Sequence, residues 1–530
     1  MPGRLAVDFG TSNTVVAVWD EATQAGRPLH IPGYSRAFAQ GADEIPVVPS
    51  LIHYAEGSRR WVGDQVRLRN LSSSPGTFRW MKRYVSQRSS RTVRADGRAI
   101  SSSDAGRDFL SSILLAAAAE ANVHDEEIVL TAPVESFEHY EDWLGEVAVY
   151  AGLPRFRLID EPSAAALGHG AHVQPHDVYL IFDFGGGTLD VALVLVEEDV
   201  SERAGRRCRV LGKAGADLGG MDIDQLLYEH VLKVNGRGES DDAVLRVSTD
   251  LLGQCEAAKE RLSFADHAEI GAINPETGAV LACELTRAAF EELLEEHGVY
   301  TQVWHTVRRT IKAARESGYD EDHVKAALMV GGGSYIPSVQ RLMRSEFGDR
   351  VLLDRPLDAV ARGAAAFAAG VDFYDHIQHD YAIRYLRPDR GGYEYYPIVP
   401  RGTPYPTAGP MATLTVKASH EGQVQLGLAV MEMGAQRGHE SERRRELVFD
   451  PSGAVRVVTV SLGEEESRSM FWMNEDSPTF LRADPPARNS GEERFHVEFA
   501  VDGNKRLLIT VRDVRTGEQT HRDYPVVKLT

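Results

Sequence analysis

Two stretches of this chain repeat one pattern at distant positions. "LAVDFGTSNTVVAVW" and "LIFDFGGGTLDVALVL" each read as apolar strand, D-F-G, small polar turn and second apolar strand, so that Asp8 corresponds to Asp183, Phe9 to Phe184 and Gly10 to Gly185. A strand, a Gly/Thr/Ser turn and a strand make a β-hairpin, and residues without Cβ let successive backbone N–H groups approach an anion closely. One such hairpin needs its glycines only for the bend. Two of them facing across a cleft can clamp a polyphosphate, with Asp8 and Asp183 offering oxygens to the waters of a Mg2+ ion, which takes few carboxylates and keeps its hydration.

Between and after the hairpins, strands alternate with helices. "EEIVLTAPV" reads as a buried strand, "SFEHYEDWLGEVAVYAG" as an amphipathic helix ending at Gly152, and "RFRLIDEPSAAALGHG" as a strand entering a small-residue helix. "VKAALMVGGGSYIPSVQRLMRSEF" gives strand, glycine turn and helix, which predicts glycines at a helix N-terminus, a favourable place for a ribose or phosphate. "LLGQCEAAKERLS" is a helix carrying Glu256, Lys259 and Ser263 on roughly one face. Past Val371 the pattern changes to alternating strands with no sustained helical period.

A chain of 530 residues exceeds what one core organises, so more than one domain is expected. The formal charge of −20 opposes attraction to nucleic-acid backbones and anionic membranes. Three scattered cysteines exclude a disulfide framework and a CxxC metal site, and no apolar run spans a bilayer. The opening "MPGRLAVDFG" enters a strand pattern at once, which predicts no secretory leader. A soluble cytoplasmic protein is the expectation.

"DFGTSNT", "IDEPSAAAL", "FDFGGGTLDVA", "DLGGMDID", "LTRAAFEELL" and "VGGGSYIP" occur in the order found in the heat-shock protein 70 (DnaK-type chaperone) family, and the resemblance covers almost all of residues 4–370. It implies an α/β actin-like ATPase, two duplicated ribonuclease-H-like halves around a nucleotide cleft, followed by an all-β domain. The corresponding boundaries are 1–370 for the ATPase domain, 371–380 for a linker and 381–530 for a β-sandwich. Residue by residue, Gly10, Thr11, Ser12 and Asn13 match the first phosphate loop; Gly186, Gly187 and Thr188 match the second. Asp8 and Asp183 match acids that hold Mg2+ through water, and Glu161 and Asp190 match acids at the hydrolytic centre. Lys82 matches the lysine beside the γ-phosphate and the attacking water. Asp183 and Thr188 thus belong to the catalytic set as well. Glu256, Lys259 and Ser263 match the helix against ribose and adenine, and Gly332, Gly333, Ser334 and Tyr335 the turn beneath the base. The implied cofactors are ATP/ADP and Mg2+, with K+ as a further cation.

This chain departs from the resemblance at several points. Tyr335 and Glu260 stand where the family commonly carries basic residues, and Glu141 where it carries an Arg implicated in interdomain signalling. "FAVDGNKRLLITVRDVRTGE" resembles the closing strands of the peptide-binding β-domain, and "PIVPRGTPYPT" the segment entering it, but about Met411 to Phe495 matches poorly and yields no peptide-contacting residue. Few residues follow Gly517, so no helical lid is expected. The linker's usual Leu/Val run is absent, with Phe373, Tyr374 and Ile377 as its candidate substitutes. The expected activity is slow ATP hydrolysis by a chaperone-like protein whose β-domain binds an extended polypeptide or a dedicated protein partner. A small-molecule kinase and an actin-like filament protein are the alternatives on the same fold.

Overall fold

A computed structural model of the chain describes residues 4–40, 43–89, 92–95, 97–124, 126–133, 138–169, 176–197, 207–315, 317–370, 377, 379–387, 392–401, 403, 405, 407–433, 445–449, 455–459, 470–475, 478–502 and 505–529. Phe373 and Tyr374 of the linker lie outside them, as do the turns around Asp450–Gly453 and Asp502–Lys505 at residues 450–453 and 503–504. Two compact units emerge: one of residues 1–134, 140–374 and 443–460, the other of 135–139, 375–442 and 461–530.

The first unit is built twice from one topology. One sheet runs Phe156–Asp160, Ile128–Ala132, Leu5–Asp8, Asn13–Asp20, Asp43–Pro49, Arg36–Gln40, with Ala25–Pro28 also paired to Asn13–Asp20. The other runs Val351–Leu352, Val324–Val330, Val178–Phe184, Leu189–Glu197, Arg207–Ala216. In each, the first hairpin strand is antiparallel to its own partner and parallel to a strand from much later in the chain. Parallel pairing requires a crossover, and the long helices between these strands supply it. The strands buried on both faces read as the continuous apolar runs "LAVD" and "VYLIFDF" rather than as alternation.

Two alanine-rich helices, Glu161–Gly168 and Ala359–Ala368, pack where the two sheets share a core of Ala6, Val129, Ile181, Leu328 and their neighbours. The helices touch backbone to backbone: a Cβ on Gly363 would fall 1.7 Å from the Ala164 carbonyl oxygen. Such contact is open only to small residues, which explains the composition of both helices.

Two differences from the sequence reading concern local geometry. Gly332–Tyr335 form a short 3-10 segment, and the α-helix proper starts at Pro337, whose fixed φ suits a first helical position. The glycines therefore precede the helix instead of opening it. Ile377, a candidate linker residue, is a fully buried core side chain of the second unit, packed with Tyr381 and Ile398.

That second unit is a pair of antiparallel sheets. Gly392–Val399, Asp380–Arg387, Gln425–Met433 and Met470–Trp472 form one, with Thr479–Arg482 also on Gln425–Met433; Ala412–Lys417, Glu493–Val501, Arg506–Asp513 and Gln519–Lys528 form the other. Inward side chains of both, such as Ile383 and Val430 against Phe495, Val497 and Ile509, fill one core. Arg494 is buried in it and donates from Nη2 to Asp513 Oδ2 at 2.7 Å.

The hairpin Arg445–Phe449/Val455–Thr459 belongs to the first unit although its sequence neighbours belong to the second. Leu447 and Val455 enter the core around the helices Gly220–Val234 and Ser248–Phe264. Its backbone is tied down at three points. Tyr84 donates its hydroxyl to the Leu447 carbonyl at 2.9 Å, Val455 N–H donates to Ser248 Oγ at 3.1 Å, and Val457 N–H donates to Glu239 Oε2 at 2.7 Å.

Candidate functional site

The duplicated hairpins bring their turns into contact. Asp183 lies opposite Asp190 across the second hairpin, and Gly185 N–H closes its turn onto the Thr188 carbonyl at 2.9 Å. A Cβ on Gly186 would lie 2.4 Å from Ser12 Oγ, and one on Gly187 2.6 Å from Thr11 Oγ1. The two glycine turns are thus interlocked, and the missing side chains leave backbone N–H groups as the lining. Ser50 stiffens the first turn by donating to the Gly10 carbonyl at 2.7 Å, while its own N–H donates to the Ser12 carbonyl at 2.9 Å.

Around these turns stand Asp8, Glu161, Asp183, Asp190 and Lys82. Each position has a local cause. Asp8 and Asp183 end the first strands of the hairpins. Asp160 caps the next helix by accepting from Ser163 N–H at 2.8 Å, which puts Glu161 at its first residue. Lys82 sits on the short helix Met81–Ser86, entered through buried Trp80 at φ 58°, a backbone region rare for so large a side chain. Lys82 Nζ donates to Glu161 Oε1 in a buried ion pair, and Thr131 donates to Asp8 Oδ1 at 2.8 Å.

Electrostatics follow from crowding. Burial, then Glu161, Asp190 and Asp8, hold the Asp183 carboxyl well above the usual carboxylate range. Burial likewise raises Asp8 and Glu161, each partly offset by Lys82. For Lys82 burial works against the charge, yet the carboxylates Glu161 and Asp8 hold it cationic well past its ordinary range. An excess of carboxylates over cations in an enclosed site is the chemistry that a hydrated divalent cation relieves. Among the described residues no three His, Cys, Asp or Glu side chains converge as direct metal ligands; the pair Asp8 and Asp183 suits an ion held through its water.

The predicted base and ribose residues gather at a second place. Lys259 Nζ pairs with Asp224 at 2.8 Å and donates to the Gly220 carbonyl, also at 2.8 Å. Glu256 meets Arg79 at 3.5 Å. Tyr335 stacks on Phe38, with ring centroids 6.2 Å apart, and tilts against Phe264 at 5.2 Å. Two predicted hydroxyls are already engaged by backbone: Ser263 donates to the Lys259 carbonyl at 3.3 Å, and buried Ser334 to the Val330 carbonyl at 2.6 Å. Gly332 has open space around it, whereas Gly333 is pressed to the Phe184 ring. The turn is therefore anchored directly on the strand that carries Asp183.

Several partnerships had no signal in the sequence. Arg83, beside Lys82, donates to the Gly187 carbonyl at 2.8 Å and forks onto Asp222 at 2.8 and 3.1 Å, joining the first half to the second phosphate turn. Arg36 reaches Glu260 at 3.9 Å. Tyr140 stands near Lys82, fully buried. Gly331, at φ 80°, could not carry a side chain, since its Cβ would fall 2.4 Å from the Phe184 carbonyl oxygen. Partnerships between residues so far apart in the chain leave no local pattern.

Comparison with known proteins places this geometry. The profile of the Hsp70 protein family matches residues 5–379. A "Chaperone protein HscA homolog" from Methylococcus capsulatus is 27% identical over 544 residues, covering 97% of this chain and 77% of that protein. One from Burkholderia pseudomallei is 27% identical with the same coverage. A "Chaperone protein DnaK" from Nitrosopumilus maritimus is 25% identical, covering 97% of this chain and 74% of its own length.

Proposed function

Because this chain belongs to the Hsp70 family, and so is an ATP-hydrolysing protein of chaperone type with an actin-like ATPase fold and a C-terminal β-domain, we propose a specific division of labour among its residues. The observation that carries it is the interlocking of two glycine turns, Gly186 on Ser12 and Gly187 on Thr11, beside Lys82 and four carboxylates. Backbone N–H groups of residues 10–13 and 186–188 bind the β- and γ-phosphates. Asp8 and Asp183 hold Mg2+ through its waters; the ion, when bound, neutralises charge on the phosphate oxygens.

Phosphoryl transfer asks a protein mostly for positioning and charge compensation. Lys82 Nζ, kept cationic by its acidic neighbours, faces the γ-phosphate oxygens where charge develops. Glu161 Oε1 holds that ammonium in place. Asp190, on the strand opposite Asp183, accepts a hydrogen bond from the attacking water and orients it. Glu256, Lys259 and the turn Gly332–Tyr335 hold ribose and adenine, Tyr335 presenting a ring face to the base.

The functional division is residues 1–370 for ATP, 371–380 as linker, and 381–530 for an extended polypeptide or a dedicated protein partner, with the exception of the hairpin Arg445–Phe449/Val455–Thr459, which completes the ATP-binding unit. Among the described residues no helix is long and apolar enough to cross a membrane. The small-molecule kinase and filament alternatives are not favoured by this family membership. Single-turnover hydrolysis of bound Mg-ATP tests the assignment: turnover in the parent, lost in Lys82→Ala and in Asp183→Asn with nucleotide still bound, is the expected result. A Lys82→Ala protein as fast as the parent would overturn it.

A further inference from the structure

We propose that the Tyr140 hydroxyl is a further catalytic group of the hydrolysis site, donating a hydrogen bond to the water that attacks the γ-phosphate. The inference rests on the nucleotide reading above. Tyr140 lies near the start of the helix Glu138–Tyr150 with no exposed surface. Its ring stacks on Trp143 at 5.8 Å, and Trp143 in turn meets Phe9, the residue after Asp8, at 5.9 Å. Two aromatic contacts thus fix the phenol relative to the first hairpin.

The hydroxyl at the end of that ring has no hydrogen-bond partner among the described residues. Three other buried phenols are partnered: Tyr54 donates to Asp108 at 2.8 Å, Tyr84 to Leu447 at 2.9 Å and Tyr381 to Glu432 at 2.9 Å. An unpaired buried hydroxyl is destabilising, and phenylalanine would keep the same packing without it. The groups that feel Tyr140 electrostatically are Lys82, Glu161 and Asp8, all three from the proposed hydrolytic centre. A donor that these groups reach electrostatically, with no acceptor among the described residues, finds its partner in what the reaction brings there.

The chemistry needs only that the phenol stay neutral. Burial raises its ionisation, and Glu161 and Asp8 add to the shift against the opposing effect of Lys82, so it remains a donor throughout the working pH range. During the reaction the phenol keeps its proton. The water oxygen bonds to the γ-phosphorus as the bond to the bridging oxygen breaks, and the water's proton leaves with the phosphate product. Tyr140 fixes the direction of approach while Lys82 compensates the charge.

Tyr140→Phe in the full chain isolates that one oxygen. Single-turnover hydrolysis should slow by about 10- to 100-fold, Mg-ATP and Mg-ADP affinities should stay within about twofold, and the melting temperature without nucleotide should equal or exceed the parent's, since an unpaired group has been removed. Tyr228 is the matched control: its hydroxyl is also buried without a partner among the described residues, but on the helix Gly220–Val234 among Leu227, Val231 and Cys255. Tyr228→Phe should hydrolyse at the parent rate. Parent-like turnover by Tyr140→Phe, or a fall in its melting temperature matching its fall in rate, would overturn the proposal. A parent chain that binds no Mg-ATP would remove the nucleotide reading beneath it, a separate failure visible before any substitution.

Discussion

Lys82 and Glu161 form a buried ion pair, with 9% and 7% of their side chains exposed. Removing one partner from such a pair strands the other charge, at about 3–5 kcal/mol, whereas removing both is far less costly. Lys82→Met should therefore abolish hydrolysis and lower the melting temperature of nucleotide-free protein, and the Lys82→Met/Glu161→Gln double variant should regain most of the stability with none of the activity. Calorimetry and single-turnover assays on the two variants check this. Equal melting temperatures for single and double variants would contradict it.

Asp183 predicts a pH dependence with a definite sign. Its carboxyl is held well above the ordinary carboxylate range by burial and by Glu161, Asp190 and Asp8. A folded state that binds this proton more tightly than the unfolded chain is favoured while the group is protonated, and that contribution is lost as pH rises through the folded pKa. Asp183→Asn should accordingly raise the melting temperature of nucleotide-free protein at pH 8 by about 2 °C or more. The gain should shrink as pH falls toward 5. A gain independent of pH would argue that the group is ionised in both states.

Gly331→Ala tests the coupling of the base turn to the metal-side acid. The substitution forces a side chain into φ 80° and against the Phe184 backbone, for about 1–3 kcal/mol of strain. Relief requires the turn to lift from the strand bearing Asp183. Nucleotide affinity should fall by tenfold or more in equilibrium titrations, more than for Gly332→Ala, where the added methyl meets open space. Similar losses at the two glycines would count against this account.

Arg36 and Glu260, at 3.9 Å with Glu260 41% exposed, join the first half to the helix Ser248–Phe264. A pair this exposed contributes less than about 1 kcal/mol, so Arg36→Glu should speed release of a fluorescent ADP analogue by no more than about fivefold. Arg36→Glu/Glu260→Arg should restore the parent rate in stopped-flow measurements. A rate unchanged in the single variant would show that the pair plays no part in holding the cleft.

How much of this was legible beforehand depends on distance along the chain. The hairpins were legible because Asp8 and Asp183 sit in identical local patterns, and both sheets grew from them. The strand Phe156–Asp160 leading into the helix at Glu161, and the helix Ser248–Phe264, follow from their residue patterns and spacing. Arg83 with Asp222, Arg36 with Glu260 and the placement of Tyr140 depend on how the halves meet, which no window of sequence records. The hairpin around Leu447 and Val455 reads simply as two short strands; nothing in an alternating pattern states which core its apolar side will join. The hydroxyls of Ser263 and Ser334 each donate to the backbone carbonyl four residues earlier, a local preference of small polar side chains that their spacing does not announce.

Leu447 and Val455 also set a schedule. They fill the core around Gly220–Val234 and Ser248–Phe264, yet a ribosome reaches them long after the helix Ala359–Ala368 has emerged. During that interval the nascent chain carries an apolar gap beside Tyr84 and Cys255, and Ser248 and Glu239 await the backbone N–H groups of Val455 and Val457. The core of the ATP-binding unit is thus completed only once synthesis has passed into the β-rich region. A fragment ending at residue 370 is a snapshot of that waiting state.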